Sequence, residues 1–592
     1  MNPARMPCVA PMFNKYYQDE LTYLRALGRE FADAYPQAAH MLAETGTDPD
    51  VERLLEGFAF LTGRLRQRLD AELPELTHAF VGLLWPHYLR PIPAMSIAQF
   101  TPAAALQDTQ MIARGTPIES SSVEGTRCRF RTTAEVRLYP FALQSATLDV
   151  PLSRLSSLKL QFAVGSAANP AEIDLGPLRL FLSGEPRIVG ELYLWLARHV
   201  RDVVLQMGTQ RASLGRAAVV PTGFDDDEAL LPYPRESFPG YRFLQEFFAL
   251  PERYHFVDVE TLAPLARMEP AERFEIIIEF DARPPDGFRV SADNVRLGCV
   301  PIVNLQGMRS APIRVDHEKT EYRLRADATN PAHHEIFAVN RVTGWTKGTL
   351  AEREYKPFFS YDHVPGGGNG GGVYHSLRLH PATVGSGTET YISFVSESEV
   401  GIMPPTETVA ADLTCTNRNL PAKLHPGDIN VATTESPAFA TFTNITRVTP
   451  AVPPPLEGRL LWHLISHLSL NHLTLASIES LRSLLGLYNF HALVDRQAAQ
   501  AGEMRLAGIR SVRARPDELL RRGAVYRGVT IDLEMAEDHF AGEGEMYLMA
   551  TVLNRFFSLY TTLNAFTRLR VREVQKGAVY TWPPLLGQKP LV

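Results

Sequence analysis

Cysteine is scarce in this 592-residue sequence, which contains four, at Cys8, Cys128, Cys299 and Cys415. They lie far apart and include no CxxC pair, so they fit neither a zinc site nor a disulfide framework. Long apolar runs are missing too, since no stretch approaches the ~20 residues that a membrane-spanning helix needs. We therefore expect neither a disulfide-rich secreted domain nor a helix across a bilayer.

The sequence also lacks a strong net charge. It has 59 Lys and Arg against 66 Asp and Glu, a formal charge of −7, so no global positive field would attract nucleic acid. Hydrophobic residues make up 45% of the chain, which is enough for substantial cores and argues against global disorder. Because single cores stop growing near ~250–300 residues, this length predicts several domains.

Groups suited to catalysis are few, and each candidate favours a structural interpretation. His463 and His467 have the spacing of a helical metal pair, but no glutamate follows His463 as in HExxH. The glycine run 366–372 lacks the Lys-Ser/Thr of a phosphate loop, and no serine sits in a G-x-S-x-G turn. The acids of Asp225–Glu228 cannot all face one cation, which favours a solvated loop. The sequence therefore predicts no enzyme, no metal and no cofactor.

The N-terminal region instead contains helices with narrow apolar stripes. Apolar residues recur there at steps of three and four, the spacing that lines one helix face. A third helix is predicted from Pro74 to Trp85, where Pro86 ends it. On periodicity alone such stripes favour internal core, and an interface with another chain stays open. The stripe residues are Tyr17, Leu24, Leu27 and Phe31 in the first helix, and Val51, Leu54, Phe58, Leu61 and Leu65 in the second.

The rest of the chain predicts a multidomain α+β protein. Alternating apolar and polar residues indicate strands from Ser96 onward, interrupted by one helix at about Pro186 to Val200. A proline cluster at 450–455 indicates a stiff hinge, and a strand–strand–helix–strand pattern follows it at 506–514, 523–535, 545–562 and 567–574. The predicted domains are a helical region 1–95, a β-rich domain 96–303 with the inserted helix, a second β-rich domain 304–449, and an α+β domain 450–592.

Three arginines stand out in the last predicted strand. Arg568, Arg570 and Arg572 alternate with Leu569 and Val571, so the arginines share one face of the strand. One interpretation is the exposed side of an antiparallel sheet. The other is a sheet edge that pairs with an acidic surface of a partner, and the spacing alone leaves both open.

Several long sequence blocks point to one family. They resemble the TssF family (also called ImpG or VasA), a baseplate component of bacterial type VI secretion systems, over essentially the whole chain from Met12 onward. Residues 1–11 have no recognised counterpart, so we expect an annotation artefact or a disordered tail, with Met12 as an alternative start. The blocks include 13–21, 48–76, Leu84-Trp85-Pro86-His87-Tyr88-Leu89-Arg90-Pro91, 240–248, Asn304-Leu305, 413–421 and 580–584.

The resemblance implies a structural scaffold without catalytic activity. In this family two copies join one TssG to form the core of a baseplate wedge, which recruits TssK and TssE. Six wedges surround the VgrG spike and receive the tail tube and contractile sheath. The implied architecture is similar to the wedge proteins of contractile phage baseplates, with the N-terminal helices in an intersubunit bundle and the second β-rich domain as a wing. The implied location is cytoplasmic and peripheral to the inner membrane, reaching the membrane complex only through other baseplate subunits.

Two other functions remain open at this point. A β-rich carbohydrate-active hydrolase would carry paired carboxylates on neighbouring strands, and sequence alone cannot pair them. A wedge protein of a phage-derived contractile tail would rely on the same physics as the secretion baseplate, and would differ mainly in its genomic setting.

Overall fold

The computed structural model has mixed α and β content, with 26% helix and 41% strand, which confirms the predicted fold class. The chain divides into two units, one of Met1–Leu83 with Pro455–Ile465 and one of Leu84–Pro454 with Ser466–Val592. The residues that the structure describes are 17, 21, 53–54, 56–62, 74–151, 155–166, 173–233, 240–316, 318–346, 352–358, 373–382, 386–396, 406–456, 477–521, 523–559, 561 and 565–587.

The described residues of the smaller unit between positions 17 and 83 are helical. Residues 17, 21, 53–54 and 56–62 have helical backbone, as the three-four spacing of the apolar residues predicts. Helix α1, Pro74–Leu84, matches the predicted third helix, because proline suits a first helical turn where its missing N–H is not needed. Pro86 follows in sequence and cannot continue the helix.

The larger unit contains the remaining helices and the strands. Its helices are α2 Pro186–Arg198, α3 Gly240–Ala249, α4 Ile478–Leu487, α5 Arg496–Gly508 and α6 Glu543–Leu559. Its first fifteen strands are β1 Met95–Pro102, β2 Gln110–Ile112, β3 Pro117–Val123, β4 Thr126–Thr132, β5 Val136–Leu138, β6 Phe141–Asp149, β7 Ser157–Val164, β8 Leu178–Leu182, β9 Val200–Met207, β10 Gln210–Ser213, β11 Val219–Pro221, β12 Phe256–Val259, β13 Arg273–Phe280, β14 Val295–Arg296 and β15 Cys299–Val303.

The later strands belong to the second half of the chain. They are β16 Gln306–Arg309, β17 Ile313–Val315, β18 Tyr322–Arg323, β19 Glu335–Thr346, β20 Glu352–Glu354, β21 Lys356–Pro357, β22 Val373–Pro381, β23 Thr388–Ser396, β24 Glu407–Thr416, β25 Ala440–Asn444, β26 Ile509–Arg521, β27 Ala524–Met535, β28 Ala565–Glu573, β29 Val579–Thr581 and β30 Leu585–Leu586. Among the described helices, none combines the length and the apolar content that crossing a bilayer requires.

The strands form separate antiparallel layers along most of the unit. The first sheet has the order β25-β1-β15-β4-β3, so residues from both ends of this region meet in one layer. Its core contains Phe100, Phe130, Ile302 and Phe442, all buried. Two further sheets follow the orders β10-β9-β13-β7-β6 and β11-β12-β8-β14. In β13 the burial alternates from Phe274 to Phe280, as expected for a strand with one face in the core.

Helix α3 corrects the sequence analysis, which expected one helix in this region. Gly240–Ala249 is a second helix, and all ten of its residues are buried. Its polar residues are held by specific partners: Arg242 donates to the backbone oxygen of Phe224 at 3.2 Å, and Glu246 accepts from the backbone N–H of Leu230 at 2.9 Å. Because backbone partners satisfy Nη1 and Nη2 of Arg242 and the carboxylate of Glu246, the helix can lie wholly in the interior.

Two more sheets form the region after Asn304, with the orders β16-β24-β19-β20 and β18-β23-β22-β21. A buried pair of amides marks the point where the chain enters this region. Asn304 Nδ2 donates to Asn417 Oδ1 at 2.8 Å, and the Asn417 backbone N–H donates back to Asn304 Oδ1 at 2.6 Å. Both residues are fully buried, so the pair fixes the end of β24 against the segment that follows β15.

The C-terminal sheet has the order β26-β27-β28-β29, with β30 also on β28. Strands β26 and β27 form a long hairpin, α6 crosses over, and β28 runs parallel to β27. This arrangement matches the predicted strand–strand–helix–strand pattern, although β26 begins at Ile509 because α5 extends to Gly508. Helix α6 packs against α2 and places Gly544 beside Gly190.

Candidate interaction surfaces

The block Trp85-Pro86-His87-Tyr88, which carries much of the family resemblance, lies in an aromatic core. The Tyr88 ring packs on Phe490 with centroids 5.0 Å apart, and Tyr241 of α3 stacks on Tyr488 at 5.1 Å. Trp85 and Tyr88 are both nearly fully buried. The block therefore joins segments that are distant in sequence, and its three aromatic rings are buried.

The stripe of the second predicted helix faces solvent. Leu54, Phe58 and Leu61 have 73%, 56% and 61% of their surface exposed, whereas Ala59 is fully buried. The steps of four and three place the three large side chains on one helical face. A contiguous exposed apolar face of this kind is typical of a surface that binds another protein.

Helix α1 adds exposed apolar residues to the same unit. Phe80 and Leu83 are about half exposed, whereas Val81 is fully buried. The helix therefore presents apolar side chains both to the interior and to solvent. The sequence analysis did not single out Phe80 or Leu83, although the apolar composition of both sides of the helix was a usable signal.

The remaining residues of the predicted stripes are described only in part. Tyr17 is half-buried and its helical neighbour Leu21 is buried. The other five, together with His463, His467 and the glycine run 366–372, lie outside the described residues. Those five are Leu24, Leu27, Phe31, Val51 and Leu65. Their assignment to an interface stays a prediction.

The three arginines of β28 share a solvent-facing side of the C-terminal sheet. Leu569 and Val571 are buried, and Arg570 and Arg572 are exposed, as the two-residue period predicts. The edge interpretation is wrong, because β28 lies between β27 and β29 and its backbone is paired on both sides. A partner would therefore meet the face of this sheet and could not extend it at β28.

The arginines of β28 differ in their own ion pairs. Arg568 lies 2.6 Å from Asp517, which also accepts the hydroxyl proton of Thr530 at 2.7 Å. These hydrogen bonds and nearby arginines lower the pKa of Asp517. Arg570 is 3.9 Å from Asp532, and Arg572 has no carboxylate partner among the described residues. The charge of Arg568 is thus used within the sheet, and that of Arg572 is available.

Two arginines of β26 complete this face, and the sequence analysis missed them. Arg515 pairs with Asp532 at 2.5 Å, and Arg513 has no carboxylate partner within the described chain. They alternate in the sequence Val512-Arg513-Ala514-Arg515, a two-residue period that could have revealed them. The face holds a groove of about 420 Å³, lined in part by Arg513, Arg515, Arg570, Arg572, Asp532 and Glu534.

Two buried glutamates elsewhere in the larger unit, Glu246 and Glu228, are paired with arginines. Arg253 and Glu246 are almost fully buried and pair at 2.6 Å. Glu228 turns inward from the acidic loop to Arg179 at 2.8 Å, which leaves Asp225–Asp227 exposed. Within the described residues, no group of three or more His, Cys, Asp or Glu could hold a metal ion. These ion pairs therefore have a structural role within the fold.

Comparison with known proteins identifies the family. The family described as Type VI secretion system, TssF matches residues 9–589 of this chain. The chain belongs to the TssF family. A curated relative, the type VI secretion system component TssF1 of Pseudomonas aeruginosa, is 29% identical over 626 residues, covering 98% of this chain and 99% of that protein.

Solved structures agree with the TssF assignment. A chain of a TssK-TssF-TssG baseplate subcomplex matches with a TM-score of 0.74 and 28% identity, covering 90% of this chain and 98% of that chain. A chain of the baseplate complex from the type VI secretion system matches with a TM-score of 0.61 and 26% identity, covering 98% of this chain and 100% of that chain. These comparisons confirm the predicted role as a structural subunit of the baseplate.

Proposed function

We propose that this TssF-family chain is an architectural subunit of the baseplate wedge, which works by binding neighbours in a fixed geometry. The observation that carries the proposal is the exposed stripe of Leu54, Phe58 and Leu61. The structural likeness to a chain of a TssK-TssF-TssG subcomplex supports it. An apolar face that the chain itself leaves uncovered is what a subunit needs if its stability in the assembly comes from a partner.

The proposed partners are TssG, TssK, TssE, the VgrG spike and a second copy of this chain, with two copies joining one TssG. TssG and TssK are supported by the subcomplex to which this chain is similar. TssE, VgrG and the second copy rest on the family expectation. The same expectation places the protein in the cytoplasm, peripheral to the inner membrane through other baseplate subunits, and includes no nucleic acid partner.

The stripe is proposed to bury itself against TssG in a helical bundle. Burial of a large apolar side chain contributes about 1.5–3 kcal/mol, so three such side chains account for several kcal/mol of binding. Stable interfaces bury about 1,600 Å² in total, and the exposed residues of α1 would extend the contact. The domain limits 1–95, 96–303, 304–449 and 450–592 remain part of this proposal.

The test replaces Leu54, Phe58 and Leu61 together with serine and co-expresses the variant with the TssG of the same system. We expect recovery of TssG on the tagged variant to fall at least tenfold, because the apolar contact is lost. Circular dichroism of the free variant checks that it is folded. The matched control replaces two exposed apolar residues, Leu377 of β22 and Val395 of β23, with serine. It should leave recovery of TssG unchanged.

Full recovery of TssG by the triple variant would remove this helix from the interface. Recovery lost equally in the control would mean that the substitutions act through general insolubility, and would also contradict the proposal.

We further propose that the chain has no catalytic activity. The family is a structural component of the secretion system, and the buried pair Arg253–Glu246 and the contact of Glu228 with Arg179 are already satisfied within the fold. No observation favours the carbohydrate-active alternative specifically. A phage-derived contractile tail would use the same exposed stripe, and the identity of the co-purified partner would distinguish the two.

A further inference from the structure

The arginine face of the C-terminal sheet has a feature that folding does not explain. Five arginines lie on one side of three neighbouring strands: Arg513, Arg515, Arg568, Arg570 and Arg572. Exposed like charges on neighbouring strands repel one another and reduce stability unless they are balanced. Arg568 and Arg515 are balanced by Asp517 and Asp532. Arg513 and Arg572 have no carboxylate partner in the described part of the chain.

The groove on this face is positive even when its own acids are counted. Four arginines and two carboxylates line it, which gives a net charge of +2 on a protein whose formal charge is −7. Asp532 is already engaged by Arg515 at 2.5 Å, and Glu534 accepts from Ser511 at 2.8 Å. The local field therefore differs in sign from the net charge of the protein, and it favours an acidic ligand.

The positions of the two available arginines define what could fit. Arg513 lies on β26 beside Asp532, and Arg572 lies on β28 beside Glu534, two strands away and two residues further along the sheet. Strand spacing of about 4.8 Å and a rise of about 3.3 Å per residue place their Cα atoms roughly 12 Å apart. An extended peptide covers that distance in about four residues, so two carboxylates separated by two to four residues could reach both guanidinium groups.

We propose that this groove is a docking site for an acidic, extended segment of another baseplate protein, with Arg513 and Arg572 as its main anchors. The inference rests on the proposed scaffold function only in taking the ligand to be a protein segment. Guanidinium groups bind carboxylates through paired N–H donors, which gives orientation as well as attraction. In this arrangement Arg515 and Arg570 pair with Asp532 in the groove, and Arg568 pairs with Asp517 on the same face of the sheet.

The test measures binding of a fluorescent twelve-residue peptide to the purified full-length protein by anisotropy. The probe has Asp at alternate positions separated by Gly and Ser, and the control probe has Asn in place of Asp. We expect the Asp peptide to bind with an affinity that falls as salt rises, since exposed charge pairs are screened. The Asn peptide should bind at least tenfold more weakly.

Two matched variants distinguish binding at the groove from a general effect of positive surface charge on peptide binding. Arg513→Ser with Arg572→Ser should weaken binding of the Asp peptide about tenfold, because the variant removes both guanidinium groups that would pair with its carboxylates. The control variant, Arg201→Ser with Arg273→Ser, removes two exposed arginines of β9 and β13. It should change the affinity less than twofold.

Four results would overturn the inference. Equal binding of the Asp and Asn peptides would exclude carboxylate recognition, and an unchanged affinity of the groove variant would exclude the anchors. Tighter binding of a single-stranded oligonucleotide than of the Asp peptide would assign the face to nucleic acid. Self-association abolished by the groove variant would make a second copy the occupant and would contradict a separate partner segment.

This experiment is independent of the scaffold proposal, because peptide binding is measured on the chain alone. Loss of TssG recovery in the stripe variant with an unchanged peptide affinity would leave both proposals standing. Full TssG recovery in the stripe variant with specific peptide binding would remove the stripe and retain the groove.

Discussion

Single residues on the C-terminal sheet differ in whether their charge is already used. Arg568 and Arg572 stand four residues apart on one strand, yet Arg568 is tied to Asp517 at 2.6 Å and Arg572 has no such partner in the described chain. The Arg568–Asp517 pair is half-buried, whereas Arg572 is exposed. The value of Arg572 to the protein is therefore expected in binding, and that of Arg568 in holding the sheet.

His87 is a residue whose protonation state depends on the core around it. Its ring lies 4.6 Å from that of Tyr233, and its side chain is 4% exposed. Its Nδ1 has no hydrogen-bond partner in the described structure. Burial, with a smaller effect of the positive charge of Arg90, lowers the pKa of His87 to about 3. The folded protein therefore keeps this ring neutral while the unfolded chain protonates it near pH 6.5.

This difference predicts an acid sensitivity that one substitution reduces. Because the folded pKa lies below the unfolded one, stability from the neutral ring is present above pH 6.5 and lost as pH falls toward 3. His87→Phe removes the titrating group, so its stability should fall less between pH 6.5 and 5, by about 1.5 kcal/mol. Urea unfolding of both proteins at several pH values measures the effect. At pH 8 any difference reports packing and the loss of the 3.3 Å hydrogen bond between His87 Nε2 and the Tyr233 hydroxyl, and parallel pH profiles would contradict the assignment.

At the scale of elements, helices and strands with a clear period were predictable and wholly buried ones were not. The two-residue alternation in β28 predicted which side chains share a face, and the steps of four and three from Leu54 to Leu61 predicted a helix. Helix α3 was not predicted, and it can be buried with Arg242 and Glu246 only because both side chains find partners in the fold. Their partners, the backbone oxygen of Phe224 and the N–H of Leu230, come from a loop that sequence cannot place. The pairing of Asp517 with Arg568 was not predictable either, because the two residues are 51 positions apart and meet only when β26, β27 and β28 form one sheet.

The packing of α2 on α6 depends on two glycines that meet backbone to backbone. A Cβ added at Gly544 would lie 2.0 Å from the carbonyl of Gly190, and one added at Gly190 would lie 3.0 Å from the backbone nitrogen of Glu545. Backbone atoms cannot rotate away as a flexible side chain can. The two helices can therefore approach this closely only without side chains at these positions.

Gly544→Ala is thus expected to destabilise the protein by about 1–3 kcal/mol, the usual cost of overpacking a core. Its thermal midpoint should fall. Gly57→Ala is the control, since Gly57 is also helical but has no atom within 4 Å of the added Cβ. Alanine there should leave stability unchanged or raise it by about 0.5–1 kcal/mol. Equal midpoints for the two variants would contradict the close crossing.

At the scale of the whole molecule, the family was predictable from sequence, whereas the exposure of its candidate interaction surfaces was not. Long blocks such as Trp85-Pro86-His87-Tyr88 and the residues Asn304 and Asn417 identify a TssF-family chain, yet the structure buries them in its core. These residues identify the family, and their role in the structure is to pack its core. The surfaces proposed for binding, the Leu54–Leu61 stripe and the arginine groove, depend on exposure and on neighbouring strands, which only a structure supplies.

The central claim is that this chain acts by joining other subunits, and the mass of the complex it forms tests that claim most directly. The 66.0 kDa chain is co-expressed with the TssG of its own system, purified through a tag on TssG, and measured by native mass spectrometry. We predict one stable species that contains two copies of this chain and one TssG. A chain that never co-purifies, and is recovered as a free monomer of 66.0 kDa, would contradict the account.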